Sequence, residues 1–217
     1  MSDAPLIERT LGGLHAALVA HLPPNAKDAP VLDVGCGTGA WLHRLGGLGY
    51  TDLRGIDLDT SAFATDRATA SSANLDYDDL GLGTEKFALI TAIELIEHLE
   101  NPGRLFHHVA RHLADDGTFL ITTPNVHSAL CRMRFFLTGN LKQFDAKGDP
   151  THIYPVLLTA LDRVLPRHGL RLVKRWAYPE AGSPSSRLST RLLAGLARLV
   201  VPDPVPGDVM CLAICKA

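Results

Sequence analysis

The sequence predicts an α/β fold: an open, mostly parallel sheet with helices packed on both faces. From residue 31 onward, short apolar runs alternate with helical patterns, the signature of strands joined by crossover helices. A glycine-rich turn links the first apolar run to the first helical pattern, where such folds place a ligand. Composition agrees. The 217 residues are 46% hydrophobic and 20% charged, which suits one compact domain with a sizeable core and excludes wholesale disorder.

Taken in order, residues 5–22 read as an N-terminal helix closed by Pro23-Pro24. Val31-Leu32-Asp33-Val34 is a short buried strand, and a helix over 39–46 follows the glycine turn. A second strand runs from Leu53 to Leu58, and the alanine-rich stretch 61–71 reads as a helix. Phe87 to Ile93 is a strand, 102–114 a helix, and Thr118 to Thr122 a strand stopped by Thr123-Pro124-Asn125. A helix near 155–165 leads into a strand at 170–177, and Val209 to Cys215 is the last apolar run. Two segments interrupt the alternation. Residues 126–150 mix Arg132, Arg134, Lys142 and Lys147 with Leu130, Phe135, Phe136, Leu137 and Phe144, and 181–207 contain a short basic amphipathic helix.

Charge is unevenly spread. Residues 1–103 carry 6 basic and 15 acidic side chains, a net of −9, whereas 104–217 carry 15 basic and 8 acidic, a net of +7. No apolar run approaches the ~20 residues a bilayer span needs, and the N-terminus lacks a basic leader region. Cys36, Cys131, Cys211 and Cys215 show neither a CxxC pair nor zinc spacing. A reduced, cytoplasmic setting is expected.

The turn Gly35-Cys36-Gly37-Thr38-Gly39 lets the chain bend sharply and lets a ligand lie against bare backbone at a helix N-terminus. Asp57 follows Gly35 by 22 residues, where a carboxylate can accept both hydroxyls of a ribose. Gly35-x-Gly37-x-x-Ala40 also satisfies a dinucleotide fingerprint, so a nicotinamide dehydrogenase is an alternative. Asp33 argues against it, because a carboxylate beside the turn suits a cationic ligand and sits badly against a pyrophosphate.

Val31 to Gly39 resembles the first motif of class I S-adenosylmethionine-dependent methyltransferases, and Gly55-Ile56-Asp57-Leu58-Asp59 resembles their second. The similarity runs over residues 28–178, about seventy per cent of the chain. It implies a Rossmann-like seven-stranded sheet with an antiparallel last strand, in a single domain spanning 1–217. An N-terminal helical segment (1–27), a candidate lid (126–150) and a helical insertion (181–207) would elaborate the 28–178 core. The resemblance implies that Asp33, Gly35, Cys36, Gly37 and Gly39 surround the methionine end of S-adenosylmethionine, that Asp57 binds its ribose beside Leu58, and that Glu94 borders the same site. Asp76 is the candidate for the adenine amino group, with Asp78 and Asp79 as alternatives.

Glu94-Leu95-Ile96-Glu97-His98 ends a buried strand at the sheet's carboxyl edge. A helical turn there would gather Glu94, Glu97 and His98 on one face, a donor set for Mg²⁺ or Mn²⁺. The competing reading has the glutamates capping a helix N-terminus. Glu-x-x-Glu-His, then Thr-Pro-Asn, then a distant His is similar to two metal-dependent branches, the ubiquinone-biosynthesis O-methyltransferases and the small-RNA 3′-terminal 2′-O-methyltransferases. That resemblance implies Glu94, Glu97, His98 and His152 as metal ligands, and Glu94, His98 and His152 as the catalytic groups, with either histidine as general base.

The remaining histidines read differently. His107, His108 and His112 fall opposite the stripe Leu105, Phe106, Val109, Ala110 and Leu113, on an expected solvated face. The expected acceptor is a small-molecule or lipid-like hydroxyl compound. RNA ribose methylation is the alternative, opposed by the acidic pI and by the lack of an appended RNA-binding domain; a non-catalytic S-adenosylmethionine-binding protein is another. DNA is not an expected partner. For the lid and the late helix, a structural cover, a homodimer contact and a peripheral membrane contact all stay open.

Overall fold

The structure is a computed structural model that describes residues 6–24, 27–180 and 206–217. In chain order its elements are α1 (Leu14–Val19), β1 (Val31–Val34), α2 (Ala40–Gly47), β2 (Leu53–Asp57), β3 (Thr69–Ser72) and β4 (Phe87–Ile93), followed by a 3-10 turn at Ile96–His98. Then come α3 (Pro102–His112), β5 (Leu113–Pro124), α4 (Ala129–Thr138), α5 (Leu158–Val164), a second 3-10 turn at Leu165–His168, β6 (Leu170–Tyr178) and β7 (Val209–Lys216). The seven strands form one sheet in the order β3-β2-β1-β4-β5-β7-β6. The pairs β3–β2–β1–β4–β5 are parallel, and β7 is antiparallel to both neighbours, β5 and β6. The expected seven-stranded sheet with an antiparallel last strand is therefore present.

Alternate residues of each strand feed opposite faces, as the two-residue period of a strand requires. Leu32, Val34, Ile90, Ala92, Phe119, Ile121, Leu212 and Ile214 pack on one face with Leu105, Phe106 and Val109 of α3 and Leu158 and Leu161 of α5. Val31, Leu89, Leu120, Val209 and Cys211 pack on the other with Leu14 and Leu18 of α1 and Trp41, Leu42 and Leu45 of α2. Helices thus cover both faces and leave the strand ends open, which is where the site forms.

Three local expectations are corrected. The helix expected over 61–71 is absent, and β3, the edge strand, takes its place. Side-chain oxygens there compete with a helix for backbone donors: Asp59 accepts from the Ser61 N–H at 2.8 Å, and Thr65 Oγ1 accepts from the Arg67 N–H at 3.2 Å. Arg54–Asp57 then capture Thr69–Ser72 in parallel register. The N-terminal helix narrows to α1, because Gly12-Gly13 stops it and Gly13 takes a left-handed φ of 83°. His108 and His112 are buried, at 3% and 0% exposure, rather than solvated. The 77–85 segment covers that face through Arg104 donating to the carbonyls of Tyr77 and Asp78, and Arg111 pairing with Asp79. Burial, reinforced by the charge of Arg104, pushes the His108 imidazole down to about 4. Of the candidate lid, Ala129–Thr138 is helical as α4, and turns follow it. The insertion expected at 181–207 lies outside the described residues up to 205.

Candidate active site

A cleft of about 360 Å³ opens at the carboxyl ends of β1, β2 and β4. Asp33, Gly35, Cys36, Gly37, Asp57, Glu94 and His98 line it, so the sequence motifs of three strands meet in one place. Gly35, Gly37 and Gly39 all adopt left-handed φ values, 77°, 50° and 79°. The first is also a close approach, since a Cβ on Gly35 would lie 2.8 Å from the Leu95 side chain. At Gly37 a Cβ would meet nothing within 4 Å, so its hydrogen faces the open cleft. Asp57 Oδ2 accepts from the Gly37 N–H at 2.7 Å and Oδ1 from the Asp59 N–H at 3.1 Å. Each oxygen keeps a lone pair for a ligand hydroxyl.

Asp33 is 3% exposed, with Oδ1 accepting from Thr91 Oγ1 at 2.6 Å. Burial raises its carboxyl to about 7 against the opposing pull of that hydrogen bond, and the nearby Asp57 charge adds to the rise. A cationic ligand would reverse both effects. Burial and the same two carboxylates push the Cys36 thiol up to about 12, which removes it as a nucleophile.

At the end of β4, Glu94 has a φ of 50°. Its N–H donates to Thr122 Oγ1 at 3.0 Å, and its Oε1 accepts from the same hydroxyl at 2.9 Å, so the buried Thr122 holds the residue in this left-handed state. The other positive-φ residue that is not glycine, among those described, is Gln143, whose carbonyl receives the Nδ1–H of His152 at 3.1 Å. Gly148 makes that arrangement feasible: a Cβ there would lie 2.3 Å from the Gln143 carbonyl oxygen. The chain after His152 is stitched to the 3-10 turn by the Ile153 and Tyr154 N–H groups, which both donate to the Glu97 carbonyl at 2.8 and 2.9 Å.

This brings Glu97, His98 and His152 together, with ligand atoms within 4.8 Å of one another and imidazole centroids 4.8 Å apart. Glu97 is 0% exposed, and neither carboxylate oxygen meets a donor in good hydrogen-bond geometry among the described residues, the nearest support being the Thr123 hydroxyl and its own backbone N–H. Burial, then the Glu94 charge, raises its carboxyl well above the ordinary range; burial alone carries Glu94 to about 7. Glu94 stands outside the three-residue set, with one oxygen committed to Thr122.

Other expected residues lie elsewhere. Leu58 is 67% exposed beyond the cleft lining, and Asp76 accepts from the Asn101 and Glu100 N–H groups at 2.6 and 3.2 Å. Asp78 caps Asn74 and Asp79 pairs with Arg111 of α3, and none of the three aspartates is in the cleft lining. Conversely, Ile7, Arg9, Thr10, His15 and Trp41 line the cleft without having been singled out from the sequence. Ile7, Arg9 and Thr10 reach it because the Ile7 carbonyl accepts from Thr38 Oγ1 at 2.9 Å and Glu8 pairs with Arg44 at 2.7 Å.

A parallel sheet closed by an antiparallel β7, with a glycine turn after β1 and an acid at the end of β2, is the fold of class I S-adenosylmethionine-dependent methyltransferases. The chain belongs to the methyltransferase domain family, whose sequence model matches residues 7–175. It is similar to the ubiquinone biosynthesis O-methyltransferase of Glaesserella parasuis, 34% identical over 107 residues that cover 44% of this chain and 45% of that protein. The enzyme of the same name from Hydrogenovibrio crunogenus is 25% identical over 156 residues, covering 68% of this chain and 64% of that one. The chain thus spans 45% and 64% of the length of these two curated relatives. Among solved structures, a SAM-dependent methyltransferase from Archaeoglobus fulgidus superposes with a TM-score of 0.67 at 19% identity, covering 94% of this chain and 93% of that one. Magnesium protoporphyrin IX methyltransferase from Synechocystis, solved with bound SAH, gives 0.57 at 15% identity, covering 94% and 81%.

Proposed function

We propose that this methyltransferase acts on a hydroxyl oxygen of a small-molecule or lipid-like acceptor, with Mg²⁺ or Mn²⁺ held by Glu97, His98 and His152. The observation that carries the metal is Glu97. A fully buried carboxylate whose two oxygens meet no well-placed donor is costly, and a dication between it and two imidazoles would offset that cost. The oxygen acceptor is supported by the names of the relatives, which are O-methyltransferases.

When bound, S-adenosylmethionine would supply an electrophilic methyl: an acceptor oxygen bonds to that carbon in line as the carbon–sulfur bond breaks, and S-adenosylhomocysteine is the leaving group. A divalent cation supplies a lowered acceptor pKa and a fixed line of approach. The protein's own groups do the rest. The glycine turn cradles the methionine end, Asp33 faces its ammonium, and Asp57 receives the ribose hydroxyls. Arg9, the guanidinium in a cleft lining whose other charged groups are the carboxylates of Asp33, Asp57, Glu94 and Asp149, would face the methionine carboxylate. A histidine that holds the cation has no free lone pair, so the cation-lowered acceptor proton passes to solvent; only without the cation would His98, at the cleft wall, or His152 beside it take that proton.

The test combines calorimetry with methyl transfer. S-adenosylhomocysteine should bind, and labelled methyl should pass to a panel of hydroxylated acceptors with and without alkyl tails. A chelator should abolish transfer, and Mg²⁺ or Mn²⁺ should restore it. His152→Ala should lower transfer by about a hundredfold with S-adenosylhomocysteine affinity unchanged. Full transfer in excess chelator would remove the cation from the mechanism.

A further inference from the structure

Next to the three-residue cluster lies a hydrogen-bonded chain that the reaction as described does not use. Thr151 Oγ1 donates to Asp149 Oδ1 at 2.5 Å and stands 2.8 Å from His98 Nδ1. The Thr151 N–H also donates to Asp149 Oδ1 at 2.8 Å, and the Thr151 carbonyl oxygen lies 3.2 Å from the same His98 nitrogen. Asp149 and Thr151 are both exposed at the mouth of the cleft and belong to its lining.

The proton count decides what this chain does. A threonine hydroxyl has one hydrogen, and an ionised carboxylate has none to give. Once the hydroxyl donates to Asp149, it meets His98 with a lone pair. The Thr151 carbonyl is likewise acceptor-only. His98 Nδ1 therefore faces two acceptors and must carry the ring's hydrogen, which leaves Nε2 with its lone pair bare. His152 is fixed in the same sense, because its Nδ1 faces the Gln143 carbonyl at 3.1 Å. The two rings sit edge to face with both Nδ1 positions engaged by outer partners, the arrangement by which supporting groups orient metal-binding or proton-accepting histidines.

We propose that Asp149 and Thr151 are positioning residues that lock His98 in its Nδ1–H tautomer, so that Nε2 is the nitrogen presented to the cation or to the acceptor proton. The use of Nε2 rests on the function proposed above. The tautomer does not, and it is measured on the protein free of metal and methyl donor. Asp149 acts through Thr151: without the carboxylate, the hydroxyl is free to turn its hydrogen toward Nδ1 and stabilise the opposite tautomer.

Long-range proton–nitrogen correlation on imidazole-labelled protein near pH 8 reads the tautomer directly. Wild-type His98 should show the Nδ1–H pattern. Thr151→Val and Asp149→Ala should each give a mixture with the Nε2–H form, and Thr151→Ser should keep the wild-type pattern. Circular dichroism confirms that each variant is folded. Mn²⁺ binding followed by electron paramagnetic resonance should weaken about tenfold in Thr151→Val and recover in Thr151→Ser. A Thr151→Val protein with the wild-type correlation pattern would overturn the proposal, because the backbone carbonyl would then hold the ring alone. If wild-type protein shows the Nδ1–H pattern yet binds no Mn²⁺, the relay stands and the metal site falls.

Discussion

Asp33 illustrates how one residue carries both a cost and a purpose. Unfolded, its carboxyl titrates near 3.8; folded, burial brings it to about 7. Between those values the folded chain holds a proton that the unfolded chain has released, so stability is lost as pH rises through the window, and the loss is complete above it. Asp33→Asn should therefore flatten part of the fall in thermal midpoint between pH 4 and 7, and should be more stable than the parent at pH 8. Glu94 and Glu97 shift in the same direction and add to the fall, whereas His108, whose imidazole is pushed down to about 4, opposes it. An unchanged slope in differential scanning would mean that Asp33 is not the group responsible. The same variant should bind S-adenosylmethionine about ten- to a hundredfold more weakly, the worth of a charge-assisted hydrogen bond. Binding to the parent should tighten as pH rises toward 8, because the ligand's positive end meets an ionised partner.

The element that most shapes the site is the turn between β1 and α2. Its glycines have unequal reasons to be glycine. Gly35 combines a left-handed backbone with a Leu95 contact that a Cβ would violate, whereas Gly37 has the backbone requirement and open space. Gly35→Ala should cost about 1–2 kcal/mol for the left-handed backbone and a further 1–3 kcal/mol, roughly, for the overpacking. Gly37→Ala should cost only the first of these, yet it puts a methyl group into the donor cleft. Urea unfolding and S-adenosylhomocysteine titration together separate the two: Gly35→Ala is the larger stability defect, Gly37→Ala chiefly a binding defect. Equal stability losses would contradict the contact. The 139–151 loop shows a similar device farther along, where Gly148 lets the chain close on Gln143 and thereby seats His152. Neither Gly148 nor the Asp149-Thr151 chain stands out in the sequence, because their importance lies in atoms that approach across a loop.

For the molecule as a whole, the sheet separates two apolar layers. Ile121 packs with one set of neighbours and Leu18 with the other. Ile121→Val should cost about 0.5–1.5 kcal/mol and Leu18→Ala about 2–5 kcal/mol. The double variant should match their sum within about 0.5 kcal/mol, since the two residues share no partners; a coupling above about 1 kcal/mol in denaturant unfolding would show that the layers are not independent. The sheet also explains why charge is divided along the chain. The acidic first half supplies Asp33, Asp57, Glu94 and Glu97 to the strand ends, where the proposed reaction would seat a cationic donor and a cation. Several basic groups of the second half are spent on ion pairs, Arg134 with Asp145, Lys142 with Asp208 and Lys216 with Asp115.

What the sequence determined alone was chemistry that is local in the chain. The alternation of strands and helices, the glycine turn with Asp33 before it, Asp57 on the next strand and the Glu-x-x-Glu-His run are all readable, because each depends on residues a few positions apart. Tertiary structure decided the rest. Residues 61–71 have the composition of a helix, but capture by β2 and side-chain competition for backbone donors made β3 of their end. His108 and His112 sit opposite an apolar stripe, yet a loop from another part of the chain buries them. Ile7, Arg9 and Thr10 enter the cleft, and Thr151, held by Asp149, reaches His98, only through contacts between segments distant in sequence. Periodicity reports which face of an element is apolar; it does not report which segment will cover that face, and the site of this methyltransferase is completed by segments of that second kind.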